Sequence, residues 1–166
     1  ELLGGLREMA RHFADVNNNA LADPRTHLLI NDGRNHLLLT RQKYDVIVSE
    51  PSNPWISGIG ALFTRQFFKL GADHLNEGGV FCQWVQTYQM SARDLGSIIK
   101  TFHAVYPNMA VWMGWPGDLI LVGSTAPLAL DYAAVAAAVA RPALANDLEM
   151  VGLSGPEGLL AAHLGG

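Results

Sequence analysis

The most distinctive chemical segment of the sequence is the run from Ser49 to Trp55, which reads Ser-Glu-Pro-Ser-Asn-Pro-Trp. It places a carboxylate, Glu50, directly after an apolar run that is typical of a buried strand. Two prolines stiffen the loop, because proline restricts φ to about −65° and so gives the loop a defined shape at a small entropic cost. A rigid loop with a carboxylate suits a functional site. The alternative, that Glu50 only caps the turn and Trp55 only packs, stays open.

Two further segments carry polar groups at the ends of apolar runs. Asp32 precedes Gly33, and such an acid can accept a hydrogen bond from an amino or hydroxyl group while the glycine lets the backbone approach closely. Asp-Gly is also an ordinary turn pair. The segment from Cys82 to Tyr88 offers amide and phenol groups beside aromatic rings, which suits a small polar ligand. An ordinary strand with solvent-facing polar residues and Trp84 in the core explains that segment equally well.

Length and composition limit the class of protein. The 166 residues are enough for one domain with a hydrophobic core, and 49% hydrophobic against 16% charged residues excludes a disordered chain. A net charge of −4 without a cluster of Lys or Arg argues against a nucleic-acid partner. The longest apolar run, from Tyr132 to Ala140, is far shorter than the ~18 residues of a membrane span, so we expect no span in this chain.

Several types of reactive centre are also disfavoured. Cys82 is the single cysteine, which excludes an intrachain disulfide and a cysteine-based metal cluster and fits a cytoplasmic location. The six histidines lack the spacing of metal ligands, so we predict no metal site. The sequence has neither a G-x-S-x-G nucleophile elbow nor a Walker A loop, which argues against a covalent hydrolase and a P-loop enzyme.

The order of the predicted elements indicates an α/β fold. Strands are predicted at Leu28–Ile30, Tyr44–Val48, Val80–Val85, Ala110–Met113 and Leu119–Val122, the first two of them buried. Helices are predicted at Leu2–Phe13, Asn35–Thr40, Ala61–Leu75, Ser91–Val105, Tyr132–Ala140 and Pro156–Leu164, the first with a buried apolar face. Alternation of strands and helices favours a mostly parallel sheet with helices on both faces and an antiparallel edge strand. In such a sheet ligands bind at the carboxyl ends of the strands, where Asp32, Glu50 and Gln83 are expected.

At these residues the sequence resembles the spermidine/spermine synthase family of polyamine aminopropyltransferases. The resemblance is to the divergent bacterial members that are often fused to transporter-like membrane helices, and it covers almost the whole chain. The matching pieces are Asn31–Arg34, Tyr44–Trp55, Leu62–Thr64, Gly78–Trp84 and Gly117–Ser124. The resemblance implies a methyltransferase-like (Rossmann-like) fold. It also implies transfer of an aminopropyl group from decarboxylated S-adenosylmethionine, as co-substrate, to a diamine, without a tightly bound cofactor.

The resemblance gives roles to four residues, three of them on the nucleotide and one as the catalytic base. Glu1 matches the acid after the second strand that holds the ribose hydroxyls. Asp32 with Gly33 matches the turn that reads the adenine. Glu50 falls where the family keeps an aspartate that deprotonates the attacking amine, and its side chain is one methylene longer.

Four more residues are assigned to the acceptor amine. Asn53 falls where a second aspartate of the family binds the diamine, so that a charge is absent here, and Gln83 matches a glutamine of the same pocket. Trp115 stands where many members have a tyrosine, and Tyr88 supplies a phenol. These departures from the family pattern keep two alternatives open. One is methyl or alkyl transfer from S-adenosylmethionine, and the other is a non-catalytic nucleotide-binding regulatory domain.

The resemblance further predicts an incomplete domain. The family's first strand and glycine-rich turn have no match, because the sequence begins at Glu1. We expect a single spermidine-synthase-like domain over 1–166, with the sheet and its helices in 1–125 and an Ala-rich helical tail in 126–166. Whether this chain is active alone stays open. The expected partner is a small-molecule amine. A homodimer and attachment to membrane helices at the cytoplasmic face stay open.

Overall fold

The computed structural model describes residues 4–166, which form two compact units that meet in sequence at Arg41 and Gln42. The first unit contains helix α1 (Leu6–Arg11), a 3-10 helix (Ala20–Ala22) and helix α2 (Gly33–Leu39). The second unit contains, in chain order, β1 (Tyr44–Ser49), a 3-10 helix (Ile59–Phe63), α3 (Arg65–Asp73), β2 (Leu75–Gln86), α4 (Ala92–His103), β3 (Asn108–Met113), β4 (Asp118–Ser124), α5 (Tyr132–Val139), α6 (Pro142–Met150), α7 (Gly155–Leu160) and β5 (His163–Gly165). The single-domain description of 1–166 stays a prediction.

The first unit differs from the sequence prediction in two places. Helix α1 is shorter than predicted, and Met9 and Phe13 are 58% and 57% exposed, so the expected buried face is wrong. The structure assigns no strand to Leu28–Ile30, where a buried strand was predicted, and Ile30 is 52% exposed. A strand needs a neighbouring strand to complete its ladder. All strands among the described residues lie between positions 44 and 165, in the second unit.

The sheet of the second unit is mixed. Its strand order is β1-β2-β4-β3-β5. Strands β1 and β2 are parallel, whereas the pairs β2 with β4, β3 with β4 and β3 with β5 are antiparallel. The α/β class is confirmed, but the mostly parallel sheet is wrong for the described residues. The tight turn between β3 and β4 makes those two strands antiparallel neighbours, and β5 adds to the free edge of β3 in the same sense.

The hydrophobic core lies on the face of the sheet that α3 and α4 cover. Phe68 and Phe102 project from these helices and pack against Phe81 of β2 and Tyr106, with ring centroids 4.7 to 6.2 Å apart. All four side chains are fully buried. Such aromatic packing contributes much of the stability of a small core.

Side chains cap the two helices that cover the core. Thr64 accepts a hydrogen bond from the backbone N–H of Phe67 at the start of α3, and Ser91 accepts one from Asp94 at the start of α4. Both hydrogen bonds are of the kind that serine and threonine make at helix N-termini. The helix predicted from Ala61 begins later, because residues up to Phe63 form a 3-10 turn before the Thr64 cap.

Strand β1 forms one edge of the described sheet. Side chains alternate along a strand, so Val46 and Val48 share one face, and they are 54% and 67% exposed. The prediction of a fully buried strand is therefore wrong here, although its position is correct. Among the described residues, β1 pairs with β2 alone, so it has a neighbouring strand on one side where a central strand has two.

The C-terminal segment contains two elements that the sequence analysis missed. Helix α6 follows α5 directly, with Pro142 at its first residue, a position where proline is favoured. The helix predicted to run to Leu164 ends at Leu160, and His163–Gly165 instead forms β5 against β3. Across the described residues, no helix combines the length and the apolar character that crossing a membrane would require.

Candidate functional site

The loop after β1 lies at the carboxyl end of the parallel strand pair. Ser49, the last residue of β1, is level with Gln83 of β2. Glu50 follows and is exposed, whereas Pro51 is buried. The carboxyl ends of parallel strands are where α/β sheets bind ligands. The fold therefore presents the Glu50 carboxylate to solvent from a loop whose next residue is packed into the protein.

A side chain from β2 anchors this loop. Gln86 is 1% exposed and donates a hydrogen bond from Nε2 to the carbonyl oxygen of Pro51 at 3.2 Å. The two residues are 35 positions apart in sequence. The bond restrains the backbone directly after Glu50, which favours one position of the carboxylate.

Asn53 and Tyr88 are in direct contact. The Tyr88 hydroxyl donates to Oδ1 of Asn53 at 3.2 Å, and the rings of Trp55 and Tyr88 meet edge to face with centroids 6.2 Å apart. Trp55 and Tyr88 are 45% and 49% exposed. The structure thus brings two predicted substrate-binding residues together and adds Trp55, which sequence reasoning had noted only as part of the loop.

The turn between β3 and β4 joins the same region through its last residue. Gly117 accepts hydrogen bonds on its carbonyl oxygen from the backbone N–H and the hydroxyl of Thr87, at 2.7 and 3.0 Å. A Cβ atom on Gly117 would lie 3.7 Å from the ring of Tyr88. Trp115, in this turn, is 70% exposed. Trp115 is therefore available at the surface, two residues before the glycine whose Cβ position lies close to the Tyr88 ring.

Gln83 lies on the other face of the sheet from Gln86. Its neighbours on alternate positions, Phe81 and Val85, are fully buried in the core, and Gln83 itself is 0% exposed. Its Nε2 donates to the carbonyl oxygen of Trp84 at 2.9 Å, and its Oε1 has no partner among the described residues. A substrate-binding role for Gln83 stays a prediction.

The residues predicted to bind the nucleoside belong to the first unit. Asp32 is the N-cap of α2 and accepts a hydrogen bond from the backbone N–H of Asn35 at 2.7 Å. Gly33 is the first residue of that helix, and no atom would lie within 4 Å of a Cβ placed on it. Capping alone accounts for an aspartate here, so the nucleoside role stays a prediction. Glu1 lies outside the described residues.

Two residues to which the sequence analysis gave no role, Gln86 and Asp118, lie close to this loop and have buried polar side chains. Gln86 and Asp118 are directly opposite each other on β2 and β4. Each has a buried side-chain oxygen without a hydrogen-bond partner among residues 4–166. An aspartate at the start of a strand, directly after a glycine-containing turn, was the available signal for Asp118.

Two further observations concern the cysteine thiol and the metal-ligating types of side chain. Burial raises the pKa of the Cys82 thiol, which disfavours the reactive thiolate. Across residues 4–166 there is no group of three or more His, Cys, Asp or Glu side chains arranged to hold a metal ion.

Comparison with known proteins identifies relatives for most of the chain. The family model for the spermine/spermidine synthase domain matches residues 5–114. The polyamine aminopropyltransferase of Serratia proteamaculans is 40% identical over 82 residues, which cover 49% of this chain and 28% of that protein. Curated relatives are matched over 27% to 36% of their own length.

Two solved structures share the fold. The spermidine synthase from Thermotoga maritima superposes with a TM-score of 0.61 at 24% identity, covering 76% of this chain and 44% of that one. Human methyltransferase-like protein 13, in complex with SAH, gives a TM-score of 0.63 at 21% identity, covering 90% and 69%. The predicted methyltransferase-like fold is therefore confirmed.

Proposed function

Since the chain belongs to the spermine/spermidine synthase family, we propose that the full-length protein transfers an aminopropyl group from decarboxylated S-adenosylmethionine to a diamine. The observation that carries the proposal is the position of Glu50. Its carboxylate is exposed at the carboxyl end of β1, in a loop that Gln86 anchors through Pro51. A carboxylate held there can both attract an ammonium group and accept its proton.

The proposed reaction needs a base and no oxyanion hole. An alkyl ammonium has a pKa of about 10, so one amine must lose a proton before it can attack. The proton passes to the Glu50 carboxylate, and the nitrogen lone pair forms a bond to the carbon next to the sulfonium. The carbon–sulfur bond breaks, its electron pair stays on sulfur, and the sulfonium becomes a neutral thioether. Positive charge disappears from sulfur in this step, so no group is needed to stabilise a developing anion.

The aromatic side chains near the loop suit a cationic acceptor. Trp55 and Tyr88 expose about half of their surface and meet edge to face. Aromatic ring faces attract ammonium groups by about 0.5–2 kcal/mol. We assign Asn53, Tyr88 and Trp115 to acceptor binding, with Asn53 positioned by the Tyr88 hydroxyl.

On the nucleotide side, we propose an S-adenosylmethionine-type co-substrate. The family match and the methyltransferase-like fold support this class of ligand. Asp32, Gly33 and Glu1 are the proposed contacts. A cytoplasmic location and a homodimer remain part of the proposal.

Donor preference tests the proposal directly. Binding of decarboxylated S-adenosylmethionine and of S-adenosylmethionine to the full-length protein is compared by calorimetry, and products with 1,4-diaminobutane are identified by mass spectrometry. We expect tighter binding of the decarboxylated donor and an aminopropylated product. A methylated product, or binding of neither donor, would overturn the proposal.

A further inference from the structure

The paired residues Gln86 and Asp118 place two unpartnered acceptor oxygens next to each other. They are directly opposite across the antiparallel pair of β2 and β4, so their side chains point to the same face with Cβ atoms about 5 Å apart. Oε1 of Gln86 and Oδ1 of Asp118 are both buried, and neither has a hydrogen-bond partner among the described residues.

The amide orientation of Gln86 is set by its neighbour. Besides Oε1, the side-chain amide of Gln86 has a second terminal atom, which lies 3.2 Å from the carbonyl oxygen of Pro51. Since a carbonyl oxygen can only accept, that atom must be the donor Nε2, and Oε1 must be the atom left without a partner. A buried acceptor without a donor lowers the stability of the folded protein. Asp118 also forms no ion pair within the part of the chain that the structure describes.

The chemistry of the missing partner follows from the two oxygens. One oxygen belongs to a neutral amide and the other to a carboxylate. A positively charged group with more than one N–H would donate a hydrogen bond to each oxygen and balance the charge of the carboxylate. A primary ammonium has three N–H donors and one positive charge. It can therefore donate to both oxygens and neutralise Asp118.

The pair lies on the same face of the sheet as the proposed base. In β1, Val48 is level with Cys82 of β2, and Ser49 is the last residue of the strand. If the alternation of side chains is continued one residue past Ser49, Glu50 is on the face that also carries Cys82 and Gln86. By the same continuation, Glu50 is level with Trp84, two residues before Gln86 in β2, and β1 is two strands away from the strand of Asp118. At about 3.3 Å per residue and about 4.8 Å per strand, the Cα atoms of Glu50 and Asp118 lie about 12 Å apart.

We propose that Gln86 and Asp118 bind the second, unreacting ammonium group of the diamine. This assignment rests on the proposed function. A diamine that gives up one proton to Glu50 keeps its other end charged, and that end needs a negative partner at a distance. Asn53 is neutral, so Asp118 supplies the charge. The Tyr88 ring lies close to Gly117, the residue before Asp118, since a Cβ atom on Gly117 would be 3.7 Å from that ring.

The test compares a diamine with a monoamine in the full-length protein. Asp118→Asn keeps the shape of the side chain and removes its charge. We expect KM for 1,4-diaminobutane to rise about ten- to a hundredfold, with kcat little changed, because the ammonium loses its negatively charged partner. The kcat/KM for 1-aminobutane should stay the same, and Asp118→Glu should recover part of the loss for the diamine. Asp147→Asn, an exposed site on α6, is the matched control.

Two outcomes would overturn the assignment. Equal losses for the diamine and the monoamine would show that Asp118 is structural. No loss for either would show that Asp118 does not bind the ammonium group. Failure of the proposed function is a separate result, because the wild-type protein would then form no aminopropylated product. In that case, calorimetric titration of wild type and Asp118→Asn with 1,4-diaminobutane decides the assignment without turnover, and equal binding rejects it.

Discussion

The side chain of Gln86 reaches the backbone of Pro51 and donates a hydrogen bond to its carbonyl oxygen at 3.2 Å. This bond connects the end of β2 to the loop that carries Glu50. It links the two parts of the proposed amine site, because the same glutamine presents its free oxygen next to Asp118. The position of the base and the binding of the far ammonium therefore depend on one side chain.

Removing this bond should destabilise the fold. Gln86→Leu leaves the buried carbonyl oxygen of Pro51 without a donor, and we expect the free energy of unfolding to fall by about 1–3 kcal/mol. Urea denaturation followed by circular dichroism measures the change. Gln66→Leu, at an exposed position of α3, is the control and should change stability by no more than about 0.5 kcal/mol. Equal effects of the two variants would contradict the anchoring role.

Loss of the proposed base should slow the reaction without weakening donor binding. Glu50→Gln keeps the size of the side chain and cannot accept the ammonium proton, so kcat should fall by about 10²- to 10⁴-fold. Steady-state assays of the full-length protein measure kcat, and calorimetry measures the affinity for the donor. Glu77→Gln, an exposed residue in β2, should keep wild-type activity. A Glu50→Gln variant with normal kcat would exclude this residue as the base.

The close packing of α3 on the sheet should make Gly71 intolerant of a side chain. A Cβ atom there would lie 2.6 Å from Cδ2 of Phe81 and 3.0 Å from the hydroxyl of Tyr106. We expect Gly71→Ala to lower the free energy of unfolding by about 1–3 kcal/mol, as over-packing does in other cores. Thermal and urea unfolding provide the measurement.

The matched control is Gly96→Ala in α4. No atom lies within 4 Å of a Cβ placed on Gly96, and alanine is a better helix former than glycine by about 1 kcal/mol. This variant should be as stable as the wild type or more stable. If Gly71→Ala were also stabilising, the described contact between α3 and Phe81 would be incorrect.

Stability at alkaline pH should depend on Tyr106. Burial, followed by the charge of Asp73, raises the pKa of the Tyr106 phenol well above its ordinary value. The unfolded chain loses this proton as pH rises through about 10, whereas the folded protein keeps it. The contribution of this group to stability is therefore complete below about pH 10 and declines above it.

Unfolding experiments between about pH 9 and 11.5 test this dependence. Tyr106→Phe should show a shallower loss of stability with pH than the wild type. At neutral pH the variant should be less stable by about 1–3 kcal/mol, because the carbonyl oxygen of Phe68 loses the hydroxyl that donates to it at 2.8 Å. Identical pH slopes would show that the phenol does not stay protonated in the folded protein.

Local signals in the sequence were sufficient for the elements that position the loop. The apolar run before Glu50 predicted β1 at nearly its observed bounds, and the helix predicted from Ser91 is observed as α4 with Ser91 as its N-cap. These features depend on residues close in sequence, such as a capping hydrogen bond or the two-residue alternation of a strand. They form wherever the chain places those residues.

Features that depend on distant residues were not predictable in the same way. Val48 is exposed because β1 lies at the edge of the sheet. Strand β5 forms because the backbone hydrogen-bonding groups at the outer edge of β3 can pair with residues that follow α7. Neither fact has a local signature. A short apolar run reads the same whether its strand is central or at an edge.

The candidate site likewise combines features that are local in the sequence with features that depend on distant residues. The sequence by itself determined the loop with Glu50, Asn53 and Trp55, because two prolines and a strand end mark it locally. The tertiary structure decided that Tyr88 contacts Asn53 and that Gln86 is opposite Asp118. It also placed Gln83 on the core face of the sheet, away from Gln86. Strand register sets these relationships, and a shift of one residue would turn every side chain to the other face.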